Sequence, residues 1–92
     1  MLTKEFRLAQ SDQVQASIRE FNHDGFELEY VAIREGFEVF YRSRLIATVA
    51  FWGTQPAIKV TAERLQASCL LIGDEASILA GELIVLLVKE EV

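Results

Sequence analysis

One cysteine, one proline, one histidine and five glycines occur among the 92 residues, and basic residues number nine against fourteen acids. Each shortage excludes something. A lone Cys69 cannot form an intrachain disulfide framework. With His23 as the sole imidazole, a zinc site of the usual Cys and His ligands cannot be assembled, and only a carboxylate-rich site remains open. The glycines, at 25, 36, 53, 73 and 81, are too dispersed for a phosphate-cradling loop. A formal charge of −5 argues against a duplex-DNA binder, which needs clustered Lys and Arg on the phosphates. The longest strongly apolar run is Leu83 to Val88. A helix that crosses a bilayer needs about 20 apolar residues, far more than this run supplies. Charges are interspersed through Met1–Arg7, so no signal peptide is expected there. These absences predict a cytoplasmic protein without a membrane span.

What is present is apolar bulk. Hydrophobic residues make up 51% and charged residues 25% of the chain. That balance fits one small folded domain over residues 1–92 and excludes a disordered tail. Charge is uneven along the chain. Residues 20–38 hold six acids and one base, a net −5, whereas residues 39–72 net +3.

Val14, Ile18 and Phe21 recur at i, i+4 and i+7, with Asp12, Gln15, Arg19 and Asn22 on the opposite side. The spacing predicts a helix over Ser11–His23, capped by Ser11 and stopped by a left-handed Gly25. Leu8 falls on the polar side of that wheel. Phe6 and Leu8 alternate with Glu5 and Arg7, which predicts a short strand before the helix.

From Phe26 to Ala62 the texture is β-branched and aromatic, with turn residues between runs. Strands are expected at Phe26–Ile33, Phe37–Arg42, Leu45–Trp52 and Ala57–Ala62. Arg34-Glu35-Gly36 reads as a three-residue hairpin loop with glycine at a bulge. Ser43-Arg44 lack a preference for positive φ and suggest a longer loop. Gly53-Thr54-Gln55-Pro56 reads as a turn. From Asp74, which can cap it, the chain reads as a helix. Ala76, Leu79, Ala80, Leu83 and Leu87 form its apolar face, and Ile78, Val85 and Val88 lie outside it. A strand at 83–88 is the competing reading, and residues 63–73 carry no clear pattern.

The fold class that follows is α+β: a four- to five-stranded antiparallel meander, with an N-terminal and a C-terminal helix packed on one face. The expected loops pair Tyr30 with Phe40, Phe40 with Ala47, Phe51 with Ile58 and Val49 with Val60. One face then carries Phe26, Leu28, Tyr30, Phe40, Leu45, Ala47, Val49, Phe51, Ile58 and Val60. The other carries Val31, Ile33, Phe37, Val39, Tyr41, Ile46 and Trp52 among Glu27, Glu29, Thr48, Lys59 and Thr61. A slip of one residue in a loop would exchange parts of these faces. Each large aromatic buries ~150–250 Å², so several left in water would forfeit much of a net stability of ~5–15 kcal/mol. The surplus predicts an interaction surface made of Val39, Tyr41, Ile46, Trp52, Ile78 and Val85.

No residue set identifies a reaction. His23-Asp24 are sequence neighbours at a helix end, a poor geometry for a catalytic dyad. Glu27 and Glu29 share a strand face but lack the loop of a hard-cation site, and read as a solvated acidic patch. Cys69 reads as a small buried hydrophobe. No catalytic residue, cofactor or metal is therefore expected. The function expected is a non-catalytic protein-interaction module, acting as a homodimer or as an adaptor for a basic protein partner. The alternative is single-stranded nucleic acid or a small apolar ligand on the aromatic face formed by Trp52, Tyr41 and Phe37. A small enzyme comes third.

Overall fold

The computed structural model describes residues 4–51 and 57–92. The chain runs α1 (Lys4–Phe21), β1 (Leu28–Ile33), β2 (Gly36–Tyr41), β3 (Arg44–Phe51), β4 (Ala57–Thr61), β5 (Cys69–Ile72) and α2 (Ala76–Glu90). The five strands form one antiparallel sheet in sequence order, an open meander with β1 and β5 at its edges. Both helices lie on one face, where α1 packs on β2, α2 packs on β3, β4 and β5, and the helices pack on each other. The α+β class and the placement of the helices are as the sequence predicts. The fifth strand comes from the unpatterned 63–73 segment, and the turn expected at residues 53–56 lies outside the described residues.

The strand expected at Phe6 and Leu8 is instead the first two turns of α1. Its buried residues are Gln10, Val14, Ser17 and Ile18, with Phe21 half-buried below them. Leu8 does point away from this stripe and is exposed. Leu-Ala-Gln are strong helix formers, and local propensity carries the helix past the end of its apolar face. The helix stops at Phe21, short of the expected His23. Gly25 takes φ +70°. Asn22 closes the turn: its Nδ2 donates to the Phe26 carbonyl at 2.9 Å and its Oδ1 accepts from the Phe26 N–H at 3.0 Å.

Strand β2 is turned over relative to the expected register. Tyr30 pairs with Val39, not Phe40, because Gly36 belongs to the strand and the turn is only Arg34-Glu35. A Cβ on Gly36 would collide with the Val49 carbonyl of β3, so glycine is needed here for close approach, not for a loop. The β2–β3 turn is also short. Arg42 takes φ 52 and Ser43 φ 64, both in the left-handed region. Together they make the tight two-residue hairpin turn that their residue types disfavour. The Arg42 guanidinium lies 5.1 Å from the centroid of the Tyr41 ring. A bulge follows: Phe40 pairs with Leu45 and Val39 with Ala47, which leaves Ile46 unpaired and turned inward beside Ala47. The β3–β4 pairing, Val49 with Val60 and Phe51 with Ile58, is as expected.

The core therefore gains Phe37, Val39, Tyr41 and Ile46, which join Val49, Phe51, Ile58 and Val60. Aromatic rings here pack edge to face, as their quadrupoles favour. Tyr30 meets Phe37 at 5.7 Å between centroids, and Phe26 meets Tyr41 at 5.6 Å. In α2 the buried face is Ala76, Ala80, Gly81, Ile84, Val85, Leu87 and Val88. It is rotated from the expected face: Leu79 is exposed, Leu83 is half-buried, and Val85 and Val88 lie inside. The cause is the partner helix. Gly81 faces Ser17 of α1 at close range, which turns α2 so that its small residues meet α1. The residue at the N-terminal cap is Glu75, not Asp74, and it makes no side-chain cap hydrogen bond.

Candidate functional site

The six residues expected to form an interaction surface do not come together on one. Val39, Tyr41, Ile46 and Val85 are in the hydrophobic core, at most 9% exposed. For the first three the reason is the turned-over β2 and the bulge; for Val85 it is the rotation of α2. Ile78 is 52% exposed on α2. Trp52 lies outside the described residues. The expected aromatic platform is likewise divided, because Phe37 and Tyr41 point into the core.

The uncovered face of the sheet still carries apolar side chains: Val31 and Ile33 as expected, and others in place of the residues that turn inward. Val31 and Ile33 on β1, Leu45 on β3, and Leu70 and Ile72 on β5 are exposed. Between them lie Glu38, Thr48, Ala50, Lys59 and Thr61. A strand face that mixes apolar with polar and charged residues, covered by neither helix, is suited to contact with another surface.

Beside β1 the helical face of the sheet is incompletely covered. Leu8, Ser11, Asp12 and Gln15 of α1 overhang Tyr30 and Ala32 of β1, and Ile33, Arg34, Gly36 and Phe37 close one end. The groove so formed has a volume of about 540 Å³ and is open along one side. Its helical wall is spaced i, i+3, i+4, i+7, a single face of α1 that becomes legible only when the helix is extended back past Ser11. Ala32, an inward-facing residue, is left exposed at its floor. Burial pushes the Tyr30 phenol up from its ordinary value, an effect opposed by the nearby Arg19 charge. The hydroxyl thus stays neutral and able to donate or accept a hydrogen bond.

The remaining candidate groups stay apart. Asp24 faces Lys89, with 3.9 Å between carboxylate and ammonium. Cys69 is a half-buried, free thiol on the core side of β5. Among the described residues, no three of the His, Cys, Asp and Glu side chains converge as metal ligands. No helix among the described residues is long and apolar enough to cross a membrane.

At the far end of the molecule, Arg64 Nε donates to Glu91 Oε1 at 2.8 Å and Arg44 approaches the other oxygen at 3.4 Å. This hydrogen bond, then the Arg44 charge, holds the Glu91 carboxyl below its ordinary value and raises Arg64 in turn. The cluster pins the β2–β3 turn and the β4–β5 connection to the end of α2. It does not form a cleft.

The fold and the groove define an α+β domain with an open, single-layer sheet and, among the described residues, an unpaired strand edge beside a helix. Compared with protein-family models, curated proteins and solved structures, the chain matches none.

Proposed function

We propose that this chain is a non-catalytic protein-interaction module, serving as a homodimer or as an adaptor for another protein. The observation that carries the reading is the uncovered sheet face, where Val31, Ile33, Leu45, Leu70 and Ile72 remain exposed in a chain of only 92 residues. At ~25 cal/mol per Å² of apolar surface, covering these side chains would contribute several kcal/mol to association. A cytoplasmic setting belongs to the same proposal, since an unbridged thiol suits a reducing compartment.

A second reading, a small apolar ligand, is favoured by the groove under α1. Its volume of about 540 Å³ lies within the range of ligand pockets. The groove is open along its length, however, and a small molecule there would keep much of its surface in water.

The test is site-specific photo-crosslinking in the native host, with the reactive group at Ile33 or Leu70 and a control at exposed Gln66. The expected result is a discrete adduct from Ile33 or Leu70 that is missing from Gln66. An adduct of twice the chain's mass identifies self-association, and another mass identifies a partner. The same diffuse labelling from all three positions removes the reading.

A further inference from the structure

We infer that the β1 edge and the groove beneath α1 receive an extended segment of a partner protein, apolar where it turns toward Tyr30 and Ala32, and basic where it lies beside Glu27 and Glu29. This rests on the interaction-module reading and names the partner's chemistry.

Three observations converge on β1. The first is the edge. Among the described residues β1 pairs only with β2, so one row of its backbone N–H and C=O groups faces outward. An added strand would satisfy them, as in other strand-addition interfaces. The second is the groove. Side chains of an added strand alternate between the two faces. Those turned inward would enter the space between the overhanging α1 face and the exposed Ala32, beside the neutral Tyr30 hydroxyl. The edge strand β5 is packed by α2 instead, and its four residues offer fewer backbone groups.

The third observation is charge. Glu27, just before β1, and Glu29 within it are exposed, and Glu38 stands across from Val31 on the same outer face as Glu29. None of the three is in an ion pair among the described residues. Opposite charges facing each other across strands stabilise the pairing, and like charges oppose it. A second copy presenting its own β1 would bring two segments of net −5 together, so a basic partner is favoured over self-pairing at this edge. Arg34 sits at the far end of the groove and sets the direction of the charge preference. The basic residues of the partner belong at the Glu27–Glu29 end.

The test uses two end-blocked synthetic peptides, one alternating lysine with valine and one alternating glutamate with valine. Both are titrated calorimetrically into the full chain, and amide hydrogen exchange locates the site. The lysine peptide is expected to bind at least about tenfold more tightly than the glutamate peptide, with slowed exchange confined to β1. Filling the groove from either wall, with Ala32→Trp or Ser11→Trp, should weaken binding by about tenfold or more. Two fillers on opposite walls keep the test decisive if one disturbs folding. Glu29→Lys, at an exposed position, should weaken binding and flatten its salt dependence. Equal binding of both peptides, protection at β5, or full binding by both filled variants would overturn the inference. So would a failure of both peptides to bind. If neither binds while Ile33 or Leu70 still gives a discrete adduct, strand addition falls and the module reading stands. If both measurements are negative, both fall.

Discussion

Gly81 of α2 lies against Ser17 of α1 so closely that a Cβ at residue 81 would meet the Ser17 hydroxyl, its Cβ and, at 2.8 Å, its carbonyl carbon. Ser17 Oγ, in turn, donates to the Ile78 carbonyl at 3.2 Å. In a solvent-exposed helix, alanine for glycine would stabilise by about 1 kcal/mol. Here the backbone of α1 must shift, and overpacking of this kind costs ~1–3 kcal/mol. Gly81→Ala is therefore expected to lower the melting temperature. A rise would show that the helices are farther apart than this contact requires.

The same reasoning applies more strongly to Gly36. The atom its Cβ would meet is the Val49 carbonyl oxygen, in the middle of the sheet. Backbone at the centre of a five-stranded sheet has less freedom to move than a helix at its surface. Gly36→Ala should destabilise the chain by more than Gly81→Ala, measured as the difference in urea midpoints at constant slope. Gly25 gives the contrast, since it has open space around it and φ +70°. Gly25→Ala meets only the strain of that left-handed backbone, about 1–2 kcal/mol.

Gly36 also explains which parts of the fold are legible in the sequence. Alternation places Leu28, Tyr30, Val49, Phe51, Ile58 and Val60 on the core side, as found. The helical spacing of Val14, Ile18 and Phe21 locates α1. A glycine after Arg34-Glu35 reads as a turn residue because most glycines there are; its actual role is set by a carbonyl on another strand, which no local pattern reveals. One residue moved from loop to strand turns all of β2 over. The expected interaction residues Val39 and Tyr41 go inward with it, and Ile46 follows through a bulge. The rotation of α2 has the same kind of cause, since the Gly81–Ser17 approach joins residues far apart in the chain. The groove is hidden for a different reason. Its wall uses Leu8, which the wheel correctly directs away from the core and which alternation with Arg7 then makes resemble a strand residue.

The turn at Arg42-Ser43 offers a stabilising change. Both residues hold positive φ without being glycine or asparagine, at a cost of roughly 1–2 kcal/mol each. Ser43 is exposed, so Ser43→Gly removes that cost without cavity or clash. It is offset in part by the greater freedom of glycine in the unfolded chain. A net rise in thermal midpoint is expected. A fall would mean that the hairpin does not hold the tight left-handed turn.

Val85 and Ile78 separate interior from surface on α2. Val85 is 3% exposed and Ile78 52%. Val85→Glu buries an unpaired charge, a loss of ~3–5 kcal/mol when a buried ion lacks its partner, and should bring the chain close to unfolding. Ile78→Glu should leave the circular dichroism melt within about 0.5 kcal/mol of the parent, as surface changes do. If Ile78→Glu also shifts a self-association equilibrium in sedimentation, the exposed flank of α2 contributes to an interface. A folded, stable Val85→Glu would contradict the observed rotation of the helix.

Glu91 provides a test by pH. Two effects compete on its carboxyl. Partial desolvation opposes ionisation, whereas the Arg64 hydrogen bond and the Arg44 charge favour it. The second set wins, and the folded-state value lies below the ordinary 4.5. A carboxylate shifted downward stabilises the fold at pH values above its unfolded value, and that contribution is lost as pH falls through the lowered folded value. Glu91→Gln keeps the shape and removes the titration. In urea unfolding followed from about pH 7 to about pH 3, the parent should be the more stable at neutral pH. The gap should close once the pH drops below the carboxylate range. Added salt should narrow it at neutral pH, because Arg44 and Arg64 are largely exposed. A gap that instead widens on acidification would mean that desolvation dominates, and that the two arginines do not hold the end of α2 to the turns beside it.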